Sequence, residues 1–166
     1  MSPPTNFQPS EILRVLSEAD VEFIVVGGLA AIAHGCSQST RDFDAVAPLT
    51  VENCRRILKA LGPYEPRFYQ SLNKPRVERP AEELAEFRNL YFSTTIGVVD
   101  LLGALPPVGS FSEVAAHAVE MPMFGRRHRV VGLDDLIAVK TFVARPKDKP
   151  VELELRAIRD RLKSSP

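Results

Sequence analysis

Cysteine is scarce in this sequence, with only Cys36 and Cys54 among 166 residues. Two thiols cannot build a disulfide framework or a zinc site with the usual pairing of ligands. An excess of either charge is missing as well: Lys+Arg and Asp+Glu number 21 each, for a formal net charge of +0. A chain built to coat nucleic acid is strongly basic as a rule, so any hold on a polyanion must come from a local patch. Long apolar runs are absent. The longest mainly apolar stretch, Phe23 to Ala33, has about half the length a membrane span requires, and no membrane partner is expected. The opening Met1-Ser2-Pro3-Pro4 lacks the charged and apolar regions of a signal peptide, which makes the cytoplasm the expected location. No internal repeat, Ser-His-Asp arrangement, Cys-His pair or Walker-type glycine loop is visible.

What remains is an ordinary globular composition, with 45% apolar and 25% charged residues. The length suits one domain, and at this size folding hides about 70% of the surface that the unfolded chain exposes. Residues 1–8 read as a loose leader. Pro9 opens a helix whose buried side is Ile12, Leu16 and Ala19. Phe23 to Val26 is a short apolar strand, broken by Gly27-Gly28. Leu29 to His34 is a helix stopped at Gly35, and Asp42 to Ala47 a second strand. Thr50 caps a helix carrying Val51, Cys54, Ile57 and Leu61, with Gly62 at its end. The proline-punctuated stretch 63–80 predicts a long loop around a short strand, with Arg67, Lys74, Arg76 and Arg79 scattered along it.

A brief helix, Ala81 to Phe87, follows. Leu90 to Thr94 and Val98 to Leu102 pair as a hairpin. Residues 112–117 are helical, 118–131 form another hairpin around Gly125, and Leu133 to Ala144 is a helix. Pro150 opens a last helix with Val151, Leu155, Ile158 and Leu162 on one side. The order is mixed α and β, with helices packed beside a sheet of short strands. It predicts a single domain over 1–166, its core at about 9–131 and a C-terminal helical element at about 132–163.

Two segments point to chemistry. Val26-Gly27-Gly28 is followed, after thirteen intervening residues, by Asp42-Phe43-Asp44-Ala45. Residues two apart in a strand face the same side, with Cα atoms about 6.8 Å apart, so Asp42 and Asp44 aim two carboxylates at one spot. Charges that near repel by about 3 kcal/mol at a separation of about 6 Å and an effective dielectric of about 20. A cation relieves this, and hard oxygen ligands prefer Mg²⁺. The glycine pair lets backbone approach a ligand closely, and the helix after it offers N–H groups to phosphate.

This arrangement resembles the signature of the DNA polymerase beta-like nucleotidyltransferase superfamily: apolar-Gly-Gly, a spacer, then Asp-apolar-Asp-apolar. The local version from Gly35 through Ser39-Thr40-Arg41-Asp42-Phe43-Asp44 is similar to the small bacterial branch of minimal nucleotidyltransferases and toxins of toxin–antitoxin pairs. In that branch a Thr commonly stands two residues before the first Asp, as Thr40 does. An Arg commonly stands four before it, where this chain has Gln38.

The resemblance implies a nucleotidyltransferase-like mixed sheet flanked by helices. It also implies a third carboxylate on a later strand, which Asp100 in Val98-Val99-Asp100-Leu101-Leu102 matches. A lone Asp in an apolar strand needs a partner. Either it shares a metal with Asp42 and Asp44, or it faces water at a strand end. Leu133 to Lys140, then Arg145-Pro146-Lys147-Asp148, is similar to a C-terminal motif of the same branch. Lys140 shares the apolar face of Leu133, Leu136 and Ile137, so it must either snorkel out or find an anion. In the family the matching lysine faces nucleotide phosphates. Asp148 either assists the site or caps the final helix.

By this resemblance the chain transfers a nucleotidyl group from an NTP to a hydroxyl on an RNA or a protein. Asp42, Asp44 and Asp100 would hold Mg²⁺ or Mn²⁺, and Asp100 would help deprotonate the acceptor. Gly27, Gly28, Ser37, Ser39, Thr40 and Lys140 would bind the nucleotide, and an antitoxin is an implied partner. The alternative is a non-catalytic nucleotide- or partner-binding module of the same fold. Arg126, Arg127, His128 and Arg129 read as the solvated turn of a hairpin, and His34 as a packing residue.

Overall fold

A computed structural model describes residues 6–165, so most of the expected leader, with Met1 to Pro4, lies outside the described residues. The elements run α1 (Pro9–Glu18), β1 (Ile24–Val26), α2 (Gly27–Ala33), β2 (Asp42–Val46), α3 (Val51–Leu61), β3 (Arg67–Phe68), α4 (Ala81–Leu84), β4 (Asn89–Thr94) and β5 (Gly97–Leu102). They continue with β6 (Ala104–Leu105), β7 (Gly109–Ser110), α5 (Phe111–Ala115), β8 (Val119–Met123), β9 (Arg126–Val130), α6 (Leu133–Val143) and α7 (Lys149–Ser164). No helix among the described residues is long and apolar enough to cross a membrane.

The chain forms two compact units that alternate along the sequence. One takes the residues up to Phe23 together with Arg41–Gly103, and the other takes Ile24–Thr40 together with the residues from Ala104 onward. In the first, β2 and β5 pair in parallel, β5 and β4 antiparallel, and β4 and β3 antiparallel. One face of these strands is apolar and closed: Phe43, Ala45, Val99, Leu101, Leu90 and Phe92 are all fully buried. Each large side chain hidden there contributes about 1.5–3 kcal/mol relative to exposure. Helices α1 and α3 supply Ile12, Leu16, Cys54 and Ile57 to the core. Cys54 is thus the small hydrophobe its place on the helical stripe predicts.

Thr50 caps α3 as its sequence position predicts, its hydroxyl accepting from the Asn53 N–H at 3.1 Å. Asn53 itself is 2% exposed and acts as a clamp. Its amide nitrogen donates to the carbonyls of Glu22 (3.0 Å) and Pro48 (2.8 Å), and its oxygen accepts from the Glu22 N–H at 2.8 Å. Three bonds from one buried side chain tie the segments before β1 and after β2 to α3.

In the second unit, β1 pairs in parallel with β9, and β8 lies antiparallel to β9. His34 bonds the Val131 carbonyl through Nε2 at 2.7 Å, a packing role. The basic cluster sits on β9 and not in the turn, which falls at Phe124-Gly125. Strand alternation therefore splits it: Arg126, Arg127 and Arg129 are exposed, while His128 is buried. Helix α5 is secured by a capping box between Ser110 and Glu113, which β-ribbon β6–β7 leads into. That ribbon is too short to announce itself in the sequence. Helix α7 begins at Lys149, with Pro150 in its first turn. It buries Val151, Leu155 and Ile158, but its last turn leaves Leu162 exposed, contrary to the expected stripe. Both units are mixed α/β with mixed strand pairing and flanking helices, as the order of elements predicts.

Candidate active site

Strand register builds the acidic site in the first unit. Parallel pairing sets Asp44 opposite Asp100 and Asp42 opposite Val98. Side chains of paired residues share a face, and residues two apart share it too. Asp42, Asp44 and Asp100 are therefore on the one face that the apolar core does not occupy. Antiparallel pairing adds Tyr91 directly across from Asp100.

Tyr69, just beyond β3, completes this face. Its hydroxyl donates to Asp100 Oδ1 at 2.7 Å, and its ring meets that of Tyr91 edge to face with centroids 6.2 Å apart. Burial pushes the Asp100 carboxyl above the ordinary Asp range. The charge of Asp42 adds to this, while the hydrogen bonds with Tyr69 and Asp44 oppose it. Burial and the Asp100 carboxylate push the Tyr69 phenol up in turn. Tyr69 carried no signal in the sequence, because it stands in a proline-punctuated loop outside every motif.

Among the described residues no three carboxylate, imidazole or thiol groups are gathered into a ready metal cage. The donor chemistry nevertheless fits a hard divalent cation. Three carboxylates share one face, and one of them is held partly buried against the charge of another.

The glycine pair lies in the second unit, where each glycine has its own reason. Gly27 turns the chain with φ at 66°, in the left-handed region that favours glycine, and α2 starts there without a linker. Gly28 is needed for space: a Cβ on it would stand 2.7 Å from Thr40 Oγ1 and 2.9 Å from Thr40 Cβ. Thr40 is thereby packed on the start of α2. Gln38, at the position of the family's Arg, donates its amide to the Gly28 carbonyl at 3.2 Å. Ser37 and Ser39 are exposed, and the Ser37 N–H donates to Glu154 at 2.9 Å.

Lys140 finds its anion within the same unit. Its ammonium donates to Asp148 Oδ1 at 3.0 Å, with the two side chains only 11% and 5% exposed. Arg145 bonds the same carboxylate at 2.7 Å through Nε. Burial alone would raise the Asp148 carboxyl, but the hydrogen bonds from Arg145 and Lys140 overcome it and hold the group below the ordinary range. Asp148 stands at the N-cap position of α7 without capping it by side chain, because its oxygens are engaged by the two cations.

No family model matches the sequence, and no curated protein matches it. Among solved structures the chain is similar to the antibiotic-resistance factor ANT(2″)-Ia. The solution structure of that protein aligns with a TM-score of 0.56 at 14% identity, over 93% of this chain and 88% of that one. A crystal structure of ANT(2″)-Ia in complex with adenylyl-2″-tobramycin aligns with a TM-score of 0.54 at 15% identity, over 92% of this chain and 95% of that one. At such identity the likeness is one of fold, and the fold is the nucleotidyltransferase-like one.

Proposed function

We propose that this chain is a metal-dependent nucleotidyltransferase that moves a nucleotidyl group from an NTP to a hydroxyl on an RNA or a protein. The register between β2 and β5, which gives Asp42, Asp44 and Asp100 a common face, carries this proposal. The likeness in fold to a protein seen with adenylyl-2″-tobramycin supports it.

Asp42, Asp44 and Asp100 would hold Mg²⁺ or Mn²⁺. Two such ions, when bound, supply the positive charge that stabilises the attacking and leaving oxygens of an in-line displacement. Asp100 accepts the proton of the acceptor hydroxyl. The acceptor's oxygen then bonds to the α-phosphorus as the bond from that phosphorus to the departing pyrophosphate breaks. Tyr69, bonded to one oxygen of Asp100, fixes the orientation of that carboxylate. Gly27, Gly28, Ser37, Ser39 and Thr40 bind the nucleotide's phosphates, and Lys140 offers the remaining donors of its ammonium to them. A toxin within a two-gene pair, matched by an antitoxin, is a biological role this chemistry can serve.

The exposed cations of the Arg67–Arg79 loop and of the segment from Arg145 to Lys149 favour a macromolecular acceptor that they can guide. The alternative, a nucleotide- or partner-binding module of the same fold, is favoured by one observation. Gln38 brings no positive charge to phosphate, and its amide is engaged by Gly28.

Labelled NTP with Mg²⁺ in separate reactions with RNA, a protein lysate and tobramycin tests the proposal. Label on RNA or protein is the expected result, and label on tobramycin alone corrects the acceptor but keeps the chemistry. Asp44→Ala should abolish Mg²⁺-dependent NTP binding while its circular dichroism stays that of the parent. No transfer in any reaction, with no Mg²⁺–NTP binding by calorimetry, turns the assignment to the non-catalytic module.

A further inference from the structure

The formal charge of the chain is zero only in sum. From Ala104 onward the second unit holds 11 Lys and Arg against 8 Asp and Glu, and its other segment, Ile24–Thr40, has none of either. That unit is therefore at +3, and the first unit carries the balancing excess of acid. Part of the positive charge gathers where α6 ends and α7 begins. A hollow of about 640 Å³ there is lined by Lys140, Arg145, Lys149 and Arg156, with the apolar Ala144 and Leu153 among them. A second hollow of about 570 Å³ shares Thr141 and Arg156 with it and adds Ile137, Ala138 and Phe142.

The cations are set in place from beneath. Asp148, 5% exposed, bonds Arg145. Glu152, 7% exposed, bonds Lys149 at 2.9 Å and lies 3.7 Å from Arg156. Arg156 also donates to Thr141 Oγ1 at 3.0 Å. Buried carboxylates thus hold one end of each cation while the cations stay 38–66% exposed. Ordering these long side chains before a partner arrives removes part of the entropic cost of binding. Beside them stand apolar side chains that ordinary surfaces hide: Phe142 is 61%, Val143 44% and Leu153 56% exposed.

We propose that this groove along α6 and α7 docks an acidic, amphipathic segment of another protein, its carboxylates meeting Arg145, Lys149 and Arg156 and its apolar side chains covering Leu153 and Phe142. Charge complementarity selects the acid, and the exposed Phe142 and Leu153 beside the cations select a segment with apolar side chains to cover them. The proposal does not depend on the chemistry assigned to the aspartates, although Lys140, given above to the nucleotide's phosphates, lines the same hollow.

The test uses the whole chain and a fluorescein-labelled synthetic peptide with leucine and glutamate at helical spacing, read by anisotropy. A matched peptide with lysine for glutamate and an oligouridylate serve as controls. Binding of the glutamate peptide alone, weakening as salt rises, is expected. Leu153→Glu, a change at an exposed position, should weaken it about tenfold. Arg156→Gln should weaken it about fivefold by removing one anchoring cation. Both variants are checked for unchanged thermal melting. Equal binding of the lysine peptide, binding of the RNA in place of the peptide, no peptide binding, or full affinity in Leu153→Glu would each overturn the proposal. So would dimerisation of the chain through this face, seen as a Leu153→Glu variant shifting to monomer in sedimentation.

Discussion

Lys140 shows how much a single side chain depends on what it meets. Its helical spacing puts it on the buried side of α6, where an ammonium without a partner is costly, and Asp148 meets it at 3.0 Å. Lys140→Met keeps the stem volume, yet it leaves the buried Asp148 with Arg145 alone. We expect a loss of about 1–3 kcal/mol at neutral pH, read from urea denaturation. The pH dependence follows from the depressed carboxyl of Asp148. Its pairing stabilises the fold above the ordinary Asp pKa of about 3.9 and is lost as pH falls through the lower folded value. The gap between parent and Lys140→Met should therefore close in acid. A gap unchanged from neutral pH down to about 2 would mean the carboxylate is not what Lys140 stabilises. NTP affinity, measured on the same variant, tests its separate role as a phosphate ligand.

At the scale of elements, the turn from β1 into α2 is fixed by two glycines for two different reasons. Gly28→Ala would drive a methyl into Thr40, for an expected loss of about 1–3 kcal/mol. Because Thr40 Cβ as well as Oγ1 stands in the way, Thr40→Gly in the same chain should recover part of that loss. A double-mutant cycle showing no coupling would remove this contact as the reason for glycine. The clamp on α3 offers a second case. Asn53→Ala strands the Glu22 and Pro48 backbone groups, an expected cost of about 2–4 kcal/mol by thermal or urea unfolding. A cost below about 0.5 kcal/mol would mean water replaces the side chain.

These elements also show which parts of the fold are legible in sequence. Helical stripes, save at Ala19 and Leu162, the Thr50 cap and the β4–β5 hairpin follow from local periodicity and turn residues, and they appear where expected. So does the alternation that gives Asp42 and Asp44 one side of β2. Tyr69 with Asp100 and Asn53 with Glu22 each join positions 31 residues apart, and the Lys140–Asp148 pair crosses from one helix to the next. Nothing in local spacing encodes such meetings, because register and loop path decide them. The inward turn of His128 was legible in principle, since two-residue alternation along β9 predicts it once the turn is placed at Phe124-Gly125.

For the molecule as a whole, the acidic face of the first unit sets function against stability. Asp100 is kept in the sheet although burial and the charge of Asp42 raise its carboxyl above the usual range. A folded state that holds this proton more tightly than the unfolded one has the full advantage below the ordinary Asp value, and it loses that advantage as pH rises from there through the raised value. Without a divalent ion, the ionised Asp100 is therefore a load on the fold at neutral pH. Asp100→Asn removes the charge while keeping an oxygen to accept the Tyr69 hydroxyl. We expect the metal-free variant to melt about 2–4 °C above the parent at neutral pH, as a gain of about 1 kcal/mol implies for a chain of this size. In acid the two should converge, because the parent's own carboxyl is then neutral. Added Mg²⁺ with NTP should reverse the order, since a ligand that binds only the folded state raises the parent's melting temperature by mass action and the variant lacks one of its three carboxylates. A metal-free Asp100→Asn that melts lower than the parent would show that this carboxylate is kept for structure, and the functional assignment of the acidic face would fall with it.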